Sequence, residues 1–336
     1  MTSLVIQTAF LGDVVLTTPL LAALAERHGP LDVVTTPAAA PLIETHPAVR
    51  RVIPYDKRGL NRGARGLLTL AGTLRAEHYE AAYLPHRSLR TAALALLANI
   101  PRRIGFHDGW PLLYTEVRRR PADGHEIDRL LAMVEGQPPR SATPSLTMTT
   151  ADRTAAEAFL GEHGVRPPYV VLAPGSIWGS KRWTYYSELG AALSAQVAIV
   201  VIGSRDDVPL GNAIVETVVA RGGTAASACG RLSLRESAAV IAGAQLLVTN
   251  DSAPLHFASA VGTRVVAIFG PTVPAFGFGP RGPRDQVAEV QGLPCRPCSH
   301  HGPPVCPLVH HLCMKSLRVE DVMQAIEETG ALRRRD

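Results

Sequence analysis

Aromatic residues are scarce in this chain: Phe, Trp and Tyr together make up 5% of its 336 residues. No run of Lys or Arg is interleaved with Phe or Tyr, so the stacking platform that single-stranded nucleic acid needs is missing and no nucleic-acid partner is expected. Long hydrophobic runs are missing too. The longest apolar window of the first half, Thr91 to Ile100, is bounded by Arg90 and Arg102 and falls far short of a membrane span. The opening apolar run, Leu4 to Ile6, gives way at once to Gln7 and Thr8, which reads as a first strand rather than a leader. A cytoplasmic protein is expected, with any membrane contact peripheral and made by basic residues and exposed apolar side chains. The turn after that first strand lacks G-x-G-x-x-G spacing, which argues against a dinucleotide in this half and against a dehydrogenase.

Apolar residues are plentiful, at 46%, and the length suits two ordinary domains. Lys and Arg number 34 against 29 Asp and Glu, a net charge of +5, which suits anionic small molecules or an acidic membrane surface without choosing between them. Strand-like runs at Leu4–Ile6, Leu31–Thr35, Arg51–Pro54 and Ala81–Leu84 alternate with helical patterns at about Pro19–Arg27, Leu67–Glu77 and Leu89–Ala98. That order predicts an α/β fold with a doubly wound parallel sheet over residues 1–150. Prolines 138, 139, 144, 167 and 168 mark a junction, with a linker helix from Ala151 to His163 inside residues 151–168. A second series then fills 169–336: strands at Tyr169–Ala173, Val197–Ile202, Gln245–Thr249 and Val265–Phe269, and helices at Tyr185–Leu193, Val208–Val219, Pro254–Val261 and Ser316–Leu332. Two such halves suggest a cleft between them.

In open parallel sheets ligands bind beyond the carboxyl ends of the strands, and four polar turns occupy such positions. After the first strand comes Thr8 to Asp13; Asp13 opens a helix, where it can cap the amides or act as a general base on an incoming hydroxyl. Pro174 to Trp183 places Gly175 and Ser176 at a strand end and Lys181 and Arg182 shortly after, a pattern suited to a diphosphate. Gly203 to Asp207 contains Arg205. In the fourth turn Asn250, Asp251, Ser252 and His256 stand at a helix start, where unpaired amides favour anions and hydroxyls.

Taken together, Thr8-Ala9-Phe10-Leu11-Gly12-Asp13 with Thr17-Thr18-Pro19, Pro174-Gly175-Ser176 with Lys181-Arg182-Trp183, Asn250-Asp251-Ser252 with His256, and Phe269-Gly270-Pro271-Thr272 resemble glycosyltransferase family 9, the family of the ADP-heptose:lipopolysaccharide heptosyltransferases. The pattern is more similar to the type II enzymes. The resemblance implies a GT-B fold of two Rossmann-like domains, acceptor on the N-terminal one and nucleotide-sugar donor on the other, with no metal or other cofactor needed. It implies inverting transfer of heptose from ADP-heptose to the lipid-linked inner core of lipopolysaccharide, at the cytoplasmic face of the inner membrane. In that scheme Asp13 is the base, Lys181 and Ser176 meet the donor phosphates, Arg205 lies near the nucleoside, and Asp251, Ser252 and His256 hold the phosphate or sugar. Ala253 stands where the family pattern has glycine, so a backbone approach is narrowed by a methyl group. A transferase using another nucleotide sugar, or a non-catalytic nucleotide-sugar-binding protein, would keep the donor turns.

For the acceptor, the resemblance points to basic residues of the first half: Lys57, Arg58, Arg62, His86, Arg87, Arg90 and Arg103 are the candidates, with His86-Arg87-Ser88 foremost. Four of the five cysteines, Cys295, Cys298, Cys306 and Cys313, cluster among His300, His301, His310 and His311. A reduced structural loop, a structural zinc site and a disulfide are the readings, in that order, because the spacing fits no standard zinc finger.

Overall fold

A computed structural model describes residues 2–136 and 142–332. Pro138 and Pro139 of the expected junction lie outside the described residues. The chain divides into two compact units, Met1–Thr147 and Met148–Asp336. In the first, strands β1 Ser3–Ile6, β2 Leu31–Thr35, β3 Val49–Pro54, β4 Ala81–Leu84, β5 Arg102–Phe106 and β6 Glu116–Arg118 form one sheet ordered β3-β2-β1-β4-β5-β6. In the second, β7 Tyr169–Ala173, β8 Ala198–Val201, β9 Ala225–Ser227, β10 Leu246–Asn250, β11 Val265–Phe269 and β12 Gln286–Glu289 are ordered β12-β11-β10-β7-β8-β9. All pairings are parallel. Each unit is thus a doubly wound α/β sheet.

The central strands β1, β2, β7, β10 and β11 are buried along their whole length. Helices cover both faces, so these strands read as largely apolar runs, and that is why the sequence reveals them; the charged exception inside β2, Asp32, is neutralised by Arg50 and Arg51 at 2.8 and 2.9 Å. The strands it conceals are β5, β6, β9 and β12. β6 is Glu-Val-Arg and β12 Gln-Val-Ala-Glu, both at sheet edges where polar residues are tolerated. β5 opens on Arg102, whose guanidinium lies 2.7 Å from Glu116 of the neighbouring β6.

The first helix runs Leu11–His28, not from Pro19 as the sequence suggests. Proline inside a helix deprives the carbonyl four residues earlier of its donor. Here the Thr18 hydroxyl donates to that carbonyl, Val15 O, at 2.7 Å, so the helix passes through Pro19. The consequence is that Asp13 sits in the first helical turn directly beyond β1. The helix Thr150–Glu162 belongs to the second unit: Thr149 caps it, and its Asp152 forms a 2.9 Å ion pair with Arg235 of the helix Leu234–Gly243. The last helix is shorter than expected, Val319–Thr329, and ends at Gly330, whose left-handed backbone (φ 65°) closes it.

Both sheets reverse their winding beside their first strand, between β1 and β4 in one unit and between β7 and β10 in the other. At such a switch point the connections on either side leave in opposite directions and open a crevice. Asp13 and His86 follow β1 and β4; Lys181 and Asp251 follow β7 and β10.

Candidate active site

In the first unit the Asp13 carboxylate accepts the Phe10 amide at 3.1 Å, so the capping role is realised. Burial, reinforced by the nearby Glu126 carboxylate, pushes its pKa up to about 6, against the lowering effect of the Phe10 and Asp13 amides and of Arg120. Glu126 is itself ion-paired with Arg120 and lies 3.8 Å from the Arg129 guanidinium. A carboxylate with this pKa is ionised at neutral pH yet a far better proton acceptor than an ordinary aspartate. Capping and base chemistry are therefore compatible in one side chain.

His86 Nδ1 lies 3.4 Å from the Thr8 hydroxyl, and Lys57 Nζ donates to Thr8 O at 3.0 Å. Burial together with Lys57 and Arg87 pushes His86 down to about 4, leaving it neutral, and burial together with Arg90 and Arg58 lowers Lys57. Thr8, Lys57 and His86 thus form one polar corner at the β1/β4 crevice, in which Lys57 carries the positive charge. Arg58 and Arg62 are exposed in the turn after β3, Arg87 pairs with Asp108 at 2.9 Å, and Ser88 heads the helix Leu89–Leu97 without a side-chain cap bond.

Two of the expected acceptor cations are instead internal staples. Arg90 donates to Tyr55 OH at 2.5 Å, Asn61 O at 3.1 Å and Gly63 O at 2.9 Å, with its guanidinium over the Tyr55 ring. Arg103 donates to Leu113 O at 2.9 Å and Ile100 O at 2.6 Å. Their donors already satisfy backbone carbonyls that need them.

In the second unit Lys181 and Asp251 form a buried ion pair, with Nζ 2.6 Å from Oδ2 and 3.3 Å from Asp251 O. The Thr272 hydroxyl donates to the same Oδ2 at 2.6 Å. Lys181, expected at the donor phosphates, is therefore engaged by Asp251 through two of the three donors of an ammonium. The Asn250 side chain is taken up by internal bonds. Its Nδ2 donates to Pro174 O at 2.8 Å while its Oδ1 accepts from the Trp183 amide at 3.2 Å and Tyr186 OH at 3.3 Å, so it locks the β7 turn to the β10 turn.

Ser252 precedes the helix Ala253–Val261 without a side-chain cap bond; its hydroxyl lies 3.4 Å from Thr249 Oγ1. Pro254 removes one amide from that first turn, narrowing the anion site. His256 is buried on the same helix, edge-on to Phe278 at 6.3 Å between centroids. Across the β7 turn, a Cβ on Gly175 would lie 2.5 Å from the Asp207 carboxylate, which accepts the Ser204 amide and hydroxyl. Only glycine admits that approach. Ser176 lies in the same turn, its carbonyl accepting from Arg182 Nε at 2.9 Å, and Arg205 is exposed with its stem against Gly230.

The Cys/His segment after β12, absent from the expected site, packs over the Lys181 loop. Ser180 Oγ donates to Pro303 O, the Cys298 amide donates to Pro271 O at 2.8 Å, the His301 ring stacks on Trp178 with centroids 6.5 Å apart, and Gly302 abuts the Lys181 side chain. Arg296 pins the segment with bonds to Glu289 Oε2 at 2.7 Å and Thr272 O at 2.9 Å. All five cysteines are free thiols, and among the described residues no group of three or more His, Cys, Asp or Glu is arranged to hold a metal ion. Burial pushes the Cys313 thiol up to about 11 and raises Cys298, so both are protonated and unreactive near neutrality.

Two doubly wound sheets of identical strand order, each with a polar constellation at its switch point, are the GT-B architecture of glycosyltransferases. The fold is shared with the family 9 glycosyl transferase of Veillonella parvula (TM-score 0.83, 22% identity, 98% of this chain and 96% of that one). It is shared too with the ADP-heptose LPS heptosyltransferase II of E. coli (TM-score 0.78, 24% identity, 98% of both chains). In sequence, residues 67–307 match the model of Glycosyltransferase family 9 (heptosyltransferase), and the chain belongs to that family. Similar relatives include lipopolysaccharide heptosyltransferase 2 of Salmonella typhimurium, 27% identical over 81% of this chain and 84% of that protein. Lipooligosaccharide heptosyltransferase 2 of Haemophilus influenzae is 28% identical over 82% and 85%.

Proposed function

We propose that this glycosyltransferase moves heptose from ADP-heptose to the lipid-linked inner core of lipopolysaccharide, with inversion, at the cytoplasmic face of the inner membrane. The names of the relatives support the sugar, donor and acceptor class. The observation that carries the mechanism is the Asp13 carboxylate, pushed up to about 6 at the head of the β1/β4 crevice. Asp13 takes the proton of the acceptor hydroxyl as that oxygen attacks the anomeric carbon from the face opposite ADP. The bond to the diphosphate oxygen breaks as the new one forms, which inverts the centre.

The second unit handles the leaving group. Lys181, oriented by Asp251 and Thr272, offers its remaining N–H to the diphosphate, and the amides beside Gly175, Ser176 and Ser252 share the charge. Arg205 is assigned to the nucleoside, and Asp251, Ser252 and His256 to the phosphate or sugar of the donor. No group beyond the polypeptide is invoked. Lys57, Arg58, Arg62, His86, Arg87 and Ser88 receive the acidic acceptor, Lys57 and His86 from the corner they share with Thr8. Domain roles follow: acceptor on residues 1–150, donor on 169–336. Incubating the protein with ADP-heptose and a heptose-deficient core acceptor, and following ADP release and product mass, tests the proposal. No turnover with the acceptor despite ADP-heptose binding would favour a binding protein, and turnover only with another nucleotide sugar would replace the donor.

A further inference from the structure

In a parallel sheet every strand enters from the same end, so the loops after β3 and β5 of the first unit open on the side that carries Asp13 and His86. Both loops carry an apolar side chain that is almost fully exposed. Leu60, in the turn between β3 and the helix Gly63–Ala76, is 94% exposed, and Leu112, in the short turn Pro111–Leu113 after β5, is 100% exposed. Trp110 beside Leu112 is 43% exposed. An isolated exposed leucine is ordinary, whereas fully bared leucines at two loop tips of one sheet end are not.

Charge surrounds the first tip. Arg58, Arg62 and Arg65 are all exposed around Leu60, and Leu68, one helical turn beyond Arg65, is exposed as well. The acids of these loops are engaged: Asp56 accepts the amides of Arg58 at 3.2 Å and Gly59 at 2.8 Å, and Asp108 pairs with Arg87. The loops are also held in place. Arg90 ties Asn61 and Gly63 to the helix after β4, and the Arg87–Asp108 pair ties the loop after β4 to the loop after β5.

We infer that the loops 57–65 and 107–113 form a docking surface for an anionic phospholipid bilayer. Leu60, Leu112 and Trp110 enter the headgroup and acyl boundary while Arg58, Arg62 and Arg65 meet lipid phosphates; leucine and tryptophan tips ringed by arginine match that interface in both polarity and charge. This deepens the reading of a lipid-linked acceptor, because the residues that receive it open on the same end of the sheet.

The test is co-sedimentation of the full chain with phosphatidylcholine vesicles containing or lacking phosphatidylglycerol, for the native protein and L60S/L112S. The native protein is expected to bind the anionic vesicles and to be released by salt, and the double variant to lose roughly tenfold or more of its partition coefficient. Transfer to a water-soluble, deacylated acceptor should be unchanged in the variant, which is a check on its folding. Equal vesicle binding by both proteins, or equal binding to neutral and anionic vesicles, would overturn the surface. A native protein that binds vesicles but transfers nothing to any acceptor would instead strike the function proposed above and leave the surface standing.

Discussion

Lys181 Nζ and Thr272 Oγ1 each lie 2.6 Å from the same oxygen of Asp251, so three segments of the second unit converge on one carboxylate. The pair is buried, and a buried charge that loses its partner is costly. Lys181→Ala is expected to destabilise the protein by about 3 kcal/mol and to weaken ADP binding. The double change K181M/D251N, which removes both charges, should recover much of the stability and none of the affinity. Urea denaturation and ADP titration separate the two; equal stability of the single and double variants would mean the pair does not couple.

Gly175 tests the close approach of the β7 turn to Asp207. A methyl group at 2.5 Å from that carboxylate has no room, so Gly175→Ala must displace either the turn or the Ser204–Asp207 cap. A loss of about 1–3 kcal/mol is expected, with weaker ADP binding, measured by thermal unfolding with and without ADP. Unchanged unfolding and affinity would show that the turn yields freely.

Asn250 is expected to matter for stability before chemistry. Asn250→Ala leaves Pro174 O, the Trp183 amide and Tyr186 OH without their partner in a fully buried place, a loss of about 2–4 kcal/mol. Asn250→Asp keeps the acceptor but not the Pro174 bond and should fall between. Denaturation midpoints rank the three proteins.

The pH dependence follows from Asp13. Its folded pKa of about 6 lies above the unfolded value, so the native state holds the proton more tightly. The stability it contributes is complete below the unfolded value near 3.8 and is lost as pH rises through 6. Asp13→Asn should therefore raise stability at pH 8 by up to about 3 kcal/mol while leaving it nearly unchanged at pH 4. In the native enzyme kcat/KM should rise with pH through about 6. Glu126→Gln, which removes the neighbouring negative charge, should move that limb to lower pH. A limb that stays in place in the Gln variant would mean burial alone sets it.

The elements and turns that build the crevices were legible in the sequence for one physical reason. Strands buried on both faces are mostly apolar, and the turns after them carry glycine, small hydroxyl and charged residues such as Gly175, Ser176, Lys181 and Asp251, a change of pattern that marks the strand ends. Edge strands such as β6 and β12 carry no such signal. The packing of the Cys/His segment over Lys181 was illegible as well, because no local pattern tells where a proline-rich loop will land. Arg90 and Arg103 looked like acceptor ligands because a guanidinium that satisfies carbonyls and one that awaits an anion have the same sequence. The early helix start at Leu11 was hidden by Pro19, whose penalty Thr18 offsets from the neighbouring position.

The most direct measurement is the steady-state rate of heptose transfer by Asp13→Asn, with ADP-heptose and a heptose-deficient core acceptor at pH 8. Asparagine keeps the shape and can still accept the Phe10 amide, but it cannot take the acceptor's proton. The expected result is a kcat lower by about 10²–10⁴-fold with ADP affinity retained. A variant that turns over within a few-fold of the native enzyme would contradict the assignment of Asp13 as the base.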